Sequence, residues 1–268
     1  MTDTTITIGG QEASEPGSKR LSLMLWAQSG AGKTTLACTL PGRKALISFD
    51  PDGSASVAGW PDVTVFDLSR SNDNIAARML SDDPLGIKSA MEHFDSFIID
   101  SLTTVEERTL AYGISQTKGA TLIRPSPGAY GARGAVVVNL VRHILSITAA
   151  AEKHVCFTAH EAPLTTDDDG HALGINPALG GKTPQQVALR MNEVWSLWDR
   201  ASDGKKILTV KPSRLRAPIK TRMFDTMREP EFIWKFDANN PDDPDNMRLD
   251  TWFEAWKENG FRKMPLPK

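Results

Sequence analysis

The sequence predicts an α/β domain whose twisted, mostly parallel sheet is flanked by helices. Short runs rich in β-branched and aromatic residues alternate with longer helical stretches, which is the order typical of this class. Several of the runs are apolar almost throughout, as strands covered on both faces are. The predicted strands are 21–26, 44–50, 62–67, 94–100, 153–160, 193–199, 206–213 and 231–237. The predicted helices are 33–40, 102–115, 132–152 and 184–192. Because the last strands follow one another without long helices between them, we expect the sheet to finish with antiparallel strands.

Length, composition and charge indicate an ordinary globular protein. The chain has 268 residues, of which 40% are hydrophobic and 24% charged, and its net charge is −2. A contact with nucleic acid must therefore come from a local basic patch and not from the charge of the whole chain. Cys38 and Cys156 form no CxxC pair, which favours a reducing compartment. Since 1–20 carries no apolar leader and no apolar run approaches the roughly 18 residues that cross a bilayer, we expect a cytoplasmic protein without a membrane contact.

The composition divides the chain into three parts. Residues 1–18 read as a flexible tail, 19–238 as the α/β core, and 239–268 as a linker followed by a C-terminal docking helix with aromatic residues on one face. Two connections inside the core, 116–131 and 161–183, exceed the usual loop length, which favours a functional role for both. The second connection contains an Asp-Gly turn that predicts a small hairpin.

The stretch AQSGAGKTT follows the first predicted strand and opens the first predicted helix. It matches the pattern Ala/Gly-x4-Gly-Lys-Ser/Thr, in which successive backbone N–H groups surround the phosphates of a nucleotide. The lysine adds a positive charge there, and the hydroxyl after it is a ligand for Mg²⁺. We therefore expect this stretch to bind ATP and Mg²⁺. Its residues are Ala27, Gln28, Ser29, Gly30, Ala31, Gly32, Lys33, Thr34 and Thr35. The later turn GGKT at 180–183 has no strand before it and is not expected to hold a nucleotide phosphate in this way.

An aspartate ends the apolar strand FDSFIID and is the candidate partner of this magnesium ion. Asp100 can accept a hydrogen bond from a water on Mg²⁺, which would explain why a charge ends a buried strand. The alternative is that Asp100 caps the helix that follows it. The next residue is Ser101 and not glutamate, so the carboxylate that polarises an attacking water must lie elsewhere.

Asp50, at the end of the second predicted strand, is the preferred candidate for that carboxylate. Because Asp-Pro-Asp-Gly is also a good turn sequence, Asp50 and Asp52 have turn formation as an alternative role. Glu106, Glu107 and Glu161 are the other candidates.

His160 ends the strand VCFTAH, at the edge where ligands bind in open parallel sheets. This position would let the imidazole sense a γ-phosphate and act on the long loop that follows. A structural histidine is the alternative.

Together these motifs resemble the RecA-like P-loop ATPases. Members of that family have a carboxylate on the second strand, an aspartate without an adjacent glutamate, a polar residue at the end of the next strand, and a basic K-x-R-x-x-P finger. The matching residues here are Lys33, Thr34, Asp50, Asp100, His160 and, in KPSRLRAP, Arg214 and Arg216. The resemblance implies a catalytic role for them, a finger that reaches the nucleotide of a neighbouring subunit, and self-association as a filament or ring.

Within that family the chain most resembles the phage RecA-core nucleotide-binding proteins, including the Sak-type single-strand-annealing proteins. The resemblance implies binding of single-stranded DNA, a location in the cytoplasm of a bacterial host, and a phage or host single-strand-binding protein as a candidate partner. Basic and aromatic side chains in the two long connections favour the DNA contact, although a solvated basic face is the alternative. These residues are Lys118, Arg124, Tyr130, Arg133 and Lys182.

Three functions are compatible with this sequence. The leading one is an ATP-hydrolysing recombination protein that binds single strands and promotes their annealing or pairing as an oligomer. The second is a non-catalytic or slow nucleotide-dependent switch, such as a helicase loader or a packaging accessory factor, and an aspartate in place of the usual glutamate favours it. The third is a small-molecule kinase, but the sequence shows no clear lid helix with clustered arginines.

Overall fold

A computed structural model describes residues 20–268 except 52, 54, 71–74 and 228. The predicted tail 1–18 and the candidate Asp52 therefore lie outside the described residues. No helix among the described residues is long and apolar enough to span a membrane.

The described strands form one eight-stranded sheet and one small hairpin. They are β1 (Ser22–Ala27), β2 (Lys44–Ser48), β3 (Val63–Asp67), β4 (Ser96–Asp100), β5 (His154–His160), β6 (Thr165–Thr166), β7 (Ala172–Gly174), β8 (Glu193–Asp199), β9 (Lys206–Thr209) and β10 (Glu231–Ile233). The order in the large sheet is β10-β9-β8-β1-β5-β4-β2-β3. The first five strands and β8 run parallel, whereas β9 is antiparallel to both of its neighbours. The predicted α/β class with late antiparallel strands is confirmed, and β6 and β7 are the predicted hairpin.

Helices cover both faces of this sheet. They are α1 (Lys33–Ala37), α2 (Ile75–Met79), α3 (Ile87–Ala90), α4 (Leu102–Arg108), α5 (Leu110–Ser115), α6 (Pro127–Ala150), α7 (Thr183–Ala188) and α8 (Leu249–Glu258). Alternate residues of β1 point to opposite faces, so Met24 and Trp26 pack in the core under α2–α7, while Leu23 and Leu25 pack in the core under α1 and α8. Both faces of the central strand are therefore apolar, which explains the continuous apolar run in its sequence.

The structure differs from the sequence prediction mainly in the helices. The stretch predicted as one helix over 102–115 is divided at Thr109 into α4 and α5. Helix α6 begins five residues earlier than predicted, at Pro127, because Ser126 caps it by accepting a hydrogen bond from Ala129 N at 3.2 Å. The short helices α2 and α3 were not predicted, since helices of one turn carry too little apolar periodicity to be recognised.

The C-terminal helix packs against the end of α1. Leu249 N donates to Thr39 Oγ1, and Asp250 N donates to Thr39 O, both at 2.9 Å. Trp252, Phe253 and Trp256 are buried in the core on this face. Helix α8 therefore supports the element that follows the glycine-rich turn.

Candidate functional site

The carboxyl ends of four neighbouring parallel strands meet at one edge of the sheet and enclose a cavity. Strand β1 leads there into the glycine-rich turn, β2 into Asp50, and β4 and β5 end in Asp100 and His160. The cavity has a volume of about 570 Å³. Residues 29–35 of the turn, except Ala31, line it together with Asp50, Asp100 and His160. Since open α/β sheets bind ligands at this edge, the fold places the candidate residues where a ligand can reach them.

Two glycines give the turn its shape. Gly30 has φ 78° and Gly32 has φ 104°, both in the region that favours glycine. A Cβ on Gly32 would lie 2.9 Å from Cζ3 of Trp234, whereas a Cβ on Gly30 would meet nothing within 4 Å. Lys206 supports the turn from outside, because its Nζ donates to Ala31 O at 2.9 Å. Within the turn, Ala31 N donates to Gln28 O at 3.4 Å. The turn is therefore supported both by this hydrogen bond and by Lys206.

Lys33 places its amine inside the cavity. Its Nζ donates to Gln28 O at 3.4 Å and lies 3.5 Å from Nδ1 of His160. Burial lowers the pKa of Lys33, and the negative charges of Asp100 and Asp50 oppose that shift. A polyanionic ligand in the cavity would favour the charged amine in the same way.

Thr34 and Asp100 form a pair of oxygen ligands at the bottom of the cavity. Thr34 Oγ1 donates to Asp100 Oδ2 at 2.6 Å, and Thr158 donates to the other carboxylate oxygen. Burial raises the pKa of Asp100, although these two hydrogen bonds favour its charged form. A hydroxyl beside a buried carboxylate suits a hard cation such as Mg²⁺, which would compensate the buried charge. The cap of α4 is Ser101, whose side chain accepts from Thr104 N at 3.4 Å, so capping does not account for Asp100.

Asp50 is held by three side chains on the opposite wall. It accepts hydrogen bonds from Thr104 and, at 3.1 Å, from Ser101 Oγ, and its Oδ2 lies 3.1 Å from His160 Nε2. Burial raises the pKa of Asp50, but the hydrogen bonds with His160 and Thr104 outweigh burial and hold the pKa below its ordinary value. His160 thus bridges Asp50 and Lys33 through its two ring nitrogens.

Among the described candidates for the water-polarising carboxylate, Asp50 alone lines the cavity. Glu106 is buried and contacts Arg133, Glu107 is exposed on α4, and Glu161 pairs with Arg216. The fifth candidate, Asp52, lies outside the described residues.

The two arginines of the basic finger have different surroundings. Arg216 forms a buried ion pair with Glu161, donates to Ser196 Oγ at 3.0 Å, and lies over the rings of Trp26 and Trp198 at 5.6 and 5.0 Å. Arg214 is exposed, and among the described residues no hydrogen bond or ion pair is found for its side chain. Of these two arginines, Arg214 is exposed and Arg216 is not.

Three of the five candidate DNA-contacting residues line a second cavity. Tyr130, Arg133 and Lys182 surround a cleft of about 570 Å³ between the start of α6 and the turn 180–183. Arg133 lies 5.0 Å from the ring centroid of Tyr130. Lys118 and Arg124 are exposed in the connection before α6 and do not line this cleft. We call it the basic cleft.

Several residues of the site were not singled out from the sequence. Thr158, Thr103, Thr104, Lys206 and Trp234 contact its charged groups or its glycine-rich turn. Thr158 had a detectable signal, because it is a hydroxyl inside an otherwise apolar strand and lies two residues before His160. The others carry no local signal, since their contacts depend on elements distant in the sequence.

Comparisons with known proteins identify a family. A family model described as an AAA domain matches residues 19–230, which is well over half of the chain. No curated protein matches. Among solved structures, a KaiC-like protein from the hyperthermophilic archaeon Pyrococcus horikoshii is similar, with 12% identity, a TM-score of 0.46, and coverage of 87% of this chain and 97% of that chain. The RadB recombinase is also similar, with 12% identity, a TM-score of 0.44, and coverage of 81% and 88%.

Proposed function

We propose, from the premise that this chain belongs to the AAA domain family, that it binds ATP with Mg²⁺ and hydrolyses the ATP. The observation that carries this proposal is the pair of Thr34 and Asp100, 2.6 Å apart beneath the amine of Lys33 in a cavity bounded by a glycine-rich turn. Each component of a triphosphate site is thus present at one edge of the sheet.

The residues of the cavity have separate roles in this proposal. The backbone amides of the turn and Lys33 bind the β- and γ-phosphates. Thr34 and Asp100 hold Mg²⁺, which supplies positive charge to the phosphates when it is bound. Asp50 orients His160 and polarises the water that attacks the γ-phosphate, and His160 contacts that phosphate.

We extend the proposal to single-stranded DNA, with annealing or pairing of strands as the role of the oligomer. The basic cleft supports this extension, because it combines an aromatic ring with two cations, which suits base stacking and phosphate contacts. Lys118 and Arg124 would add phosphate contacts beside it. A phage or host single-strand-binding protein is the proposed additional partner.

For assembly as a filament or ring, we assign the contact with a neighbouring nucleotide to Arg214. Its exposure supports this assignment, whereas the pairing of Arg216 with Glu161 would have to break before Arg216 reached another subunit.

A slow or non-catalytic nucleotide switch is the second candidate, and one observation favours it. The hydrogen bonds that lower the pKa of Asp50 make this carboxylate a weaker base. A protein that binds ATP tightly and releases phosphate slowly would suit a helicase loader or a packaging accessory factor.

The decisive experiment measures nucleotide binding, phosphate release and strand annealing on the same preparations, with and without single-stranded DNA at low salt. We expect Lys33→Ala to abolish nucleotide binding, whereas Lys257→Ala, at an exposed position on α8, leaves it unchanged. Wild-type protein that binds no nucleotide would refute the whole proposal. Binding without phosphate release would favour the switch.

The DNA part has its own readout. Lys182→Gln should reduce the slope of log affinity against log salt by about 0.7, the value for one phosphate contact on a single strand. Tyr130→Ala should weaken binding by about 1–3 kcal/mol, as loss of one stacked base does. If single-stranded DNA does not change the rate of ATP hydrolysis and the protein does not anneal strands, the recombination role is refuted. The proposal of ATP hydrolysis would still stand.

A further inference from the structure

The loop segment 178–180 is held from two sides, by His160, which lines the nucleotide cavity, and by Glu106, which does not. Ala178 N donates to His160 O at 2.7 Å. Gly180 N donates to the carboxylate of Glu106, with distances of 2.9 and 3.2 Å to its two oxygens. Leu179 between them is buried in the core. A movement at His160 or Glu106 therefore acts directly on this segment.

Glu106 is also connected to the cavity through its own helix. Helix α4 begins directly after Asp100 and its cap, Ser101. Thr103 Oγ1 accepts a hydrogen bond from His160 N at 2.9 Å, and Thr104 donates to Asp50. Thr103 and Glu106 are three residues apart on one helix face, so a single turn of α4 joins the His160 backbone to the carboxylate of Glu106.

On its other side, Glu106 fixes the main cation of the basic cleft. Its carboxylate lies 3.2 Å from Nη2 of Arg133, and the Glu106 side chain is buried whereas that of Arg133 is partly exposed. A Cβ on Gly180 would lie 2.5 Å from the same Arg133 nitrogen, so loop and guanidinium are in close contact. Arg133 in turn lies over the ring of Tyr130. The positions of both cleft residues thus depend on Glu106.

We propose that Glu106 is a positioning residue that couples the nucleotide cavity to the basic cleft. This inference rests on the proposed function and adds its regulation. A nucleotide that contacts His160 shifts the segment 178–180 and helix α4 together. Arg133 then moves with the Glu106 carboxylate, with which it forms an ion pair. The cleft therefore has a different geometry in the two nucleotide states, and by linkage DNA in the cleft changes nucleotide affinity by the same factor.

The test variant is Glu106→Gln, and its matched control is Glu107→Gln. Glutamine keeps the shape of Glu106 and an acceptor for Gly180 N but removes the charge that pairs with Arg133. Glu107 is the next residue on the same helix and is exposed. It lines a surface cleft beside residues 176–181, but no hydrogen bond or ion pair joins it to them among the described residues, so its substitution changes net charge equally and leaves the contacts of Gly180 and Arg133 with Glu106 in place. Glu106→Asp, which keeps the charge but is one methylene shorter, replaces the test variant if the glutamine protein does not fold.

The first readout is hydrogen–deuterium exchange of residues 176–183 with and without a non-hydrolysable ATP analogue. We expect the analogue to change exchange in wild type and in Glu107→Gln, and to change it less in Glu106→Gln, which keeps the hydrogen bond from Ala178 N to His160 O. Nucleotide affinity should change by less than about threefold. Two results would overturn the inference. One is exchange of residues 176–183 that the analogue does not change in wild type, and the other is a change in Glu106→Gln as large as that in wild type. This readout needs no DNA, so it stands even if the DNA proposal fails.

The second readout is the ratio of single-stranded DNA affinities in the ATP-analogue and ADP states. Coupling of ordinary size gives a ratio of about 5 to 150 in wild type and in the control, and we expect a ratio near one for Glu106→Gln. If wild type binds no DNA in either state, the DNA part of the proposed function fails, and the exchange data alone decide the role of Glu106.

Discussion

Replacement of Arg216 by methionine should destabilise the protein strongly, whereas the same change at Arg214 should not. The Arg216 side chain is 12% exposed and pairs with the carboxylate of Glu161, whose side chain is 4% exposed. Removal of Arg216 leaves the Glu161 side chain with Gln28 Nε2, at 3.0 Å, as its one remaining side-chain donor in the part of the chain that the structure describes. An uncompensated buried charge of this kind costs about 3–5 kcal/mol. Arg214 is exposed, and its substitution should change the free energy of unfolding by less than about 0.5 kcal/mol.

Urea unfolding followed by tryptophan fluorescence measures both variants. With a slope of about 2–3 kcal/mol per molar urea, the expected loss lowers the midpoint by roughly 1–2.5 M for Arg216→Met. The double variant with Glu161→Gln should recover part of the loss, because it removes the carboxylate that the single variant leaves unpaired.

Equal midpoints for the two single variants would refute the reasoning. They would show that Arg216 leaves its ion pair in solution and extends as Arg214 does. The basic finger would then contain two free arginines, as the resemblance to RecA-like ATPases implied.

Three further predictions concern the turn, the pH dependence and the metal site. Gly32→Ala should abolish nucleotide binding and lower the melting temperature, because its Cβ would lie 2.9 Å from Trp234 at φ 104°; unchanged binding would contradict the proposed role of the turn. Burial lowers the pKa of His154 to about 4, so the unfolded chain binds its proton first and stability is lost as pH falls from about 6.5 to 4, by up to about 3 kcal/mol. Burial raises the pKa of Glu193 to about 7, so this residue adds stability as pH falls over much of the same range. The contribution of His154 is therefore measured as the difference in free energy of unfolding between wild type and His154→Gln, by urea unfolding at several pH values. Asp100→Asn should raise the Mg²⁺ concentration that gives half-maximal nucleotide binding by at least about tenfold in a titration. An unchanged Mg²⁺ concentration would place the metal elsewhere.

The strands could be predicted because each carries its signal locally. Apolar residues mark the run 21–26, and its apolar character on both faces reflects burial in two cores. The short helices α2 and α3 lack such periodicity. The division of the 102–115 stretch into α4 and α5 also had no local signal, because the residue at the break is Thr109 and not a glycine or proline.

The candidate site was predictable to the extent that its residues end predicted strands. Asp50, Asp100 and His160 follow from this rule and Lys33 from the glycine-rich pattern, and the fold brings all four around one cavity. Their mutual contacts did not follow from it. The hydrogen bond between His160 and Asp50 joins residues 110 positions apart, and that between Arg216 and Glu161 joins residues 55 apart.

The sequence by itself determined the α/β class and the glycine-rich turn, because strand periodicity and turn geometry depend on neighbouring residues. Only the tertiary structure decided which carboxylate faces the cavity, which arginine remains exposed, and which glutamate contacts both Gly180 and Arg133. The order of strands in the sheet sets these distances, and no local pattern encodes whether a side chain at a strand end finds a distant partner or solvent.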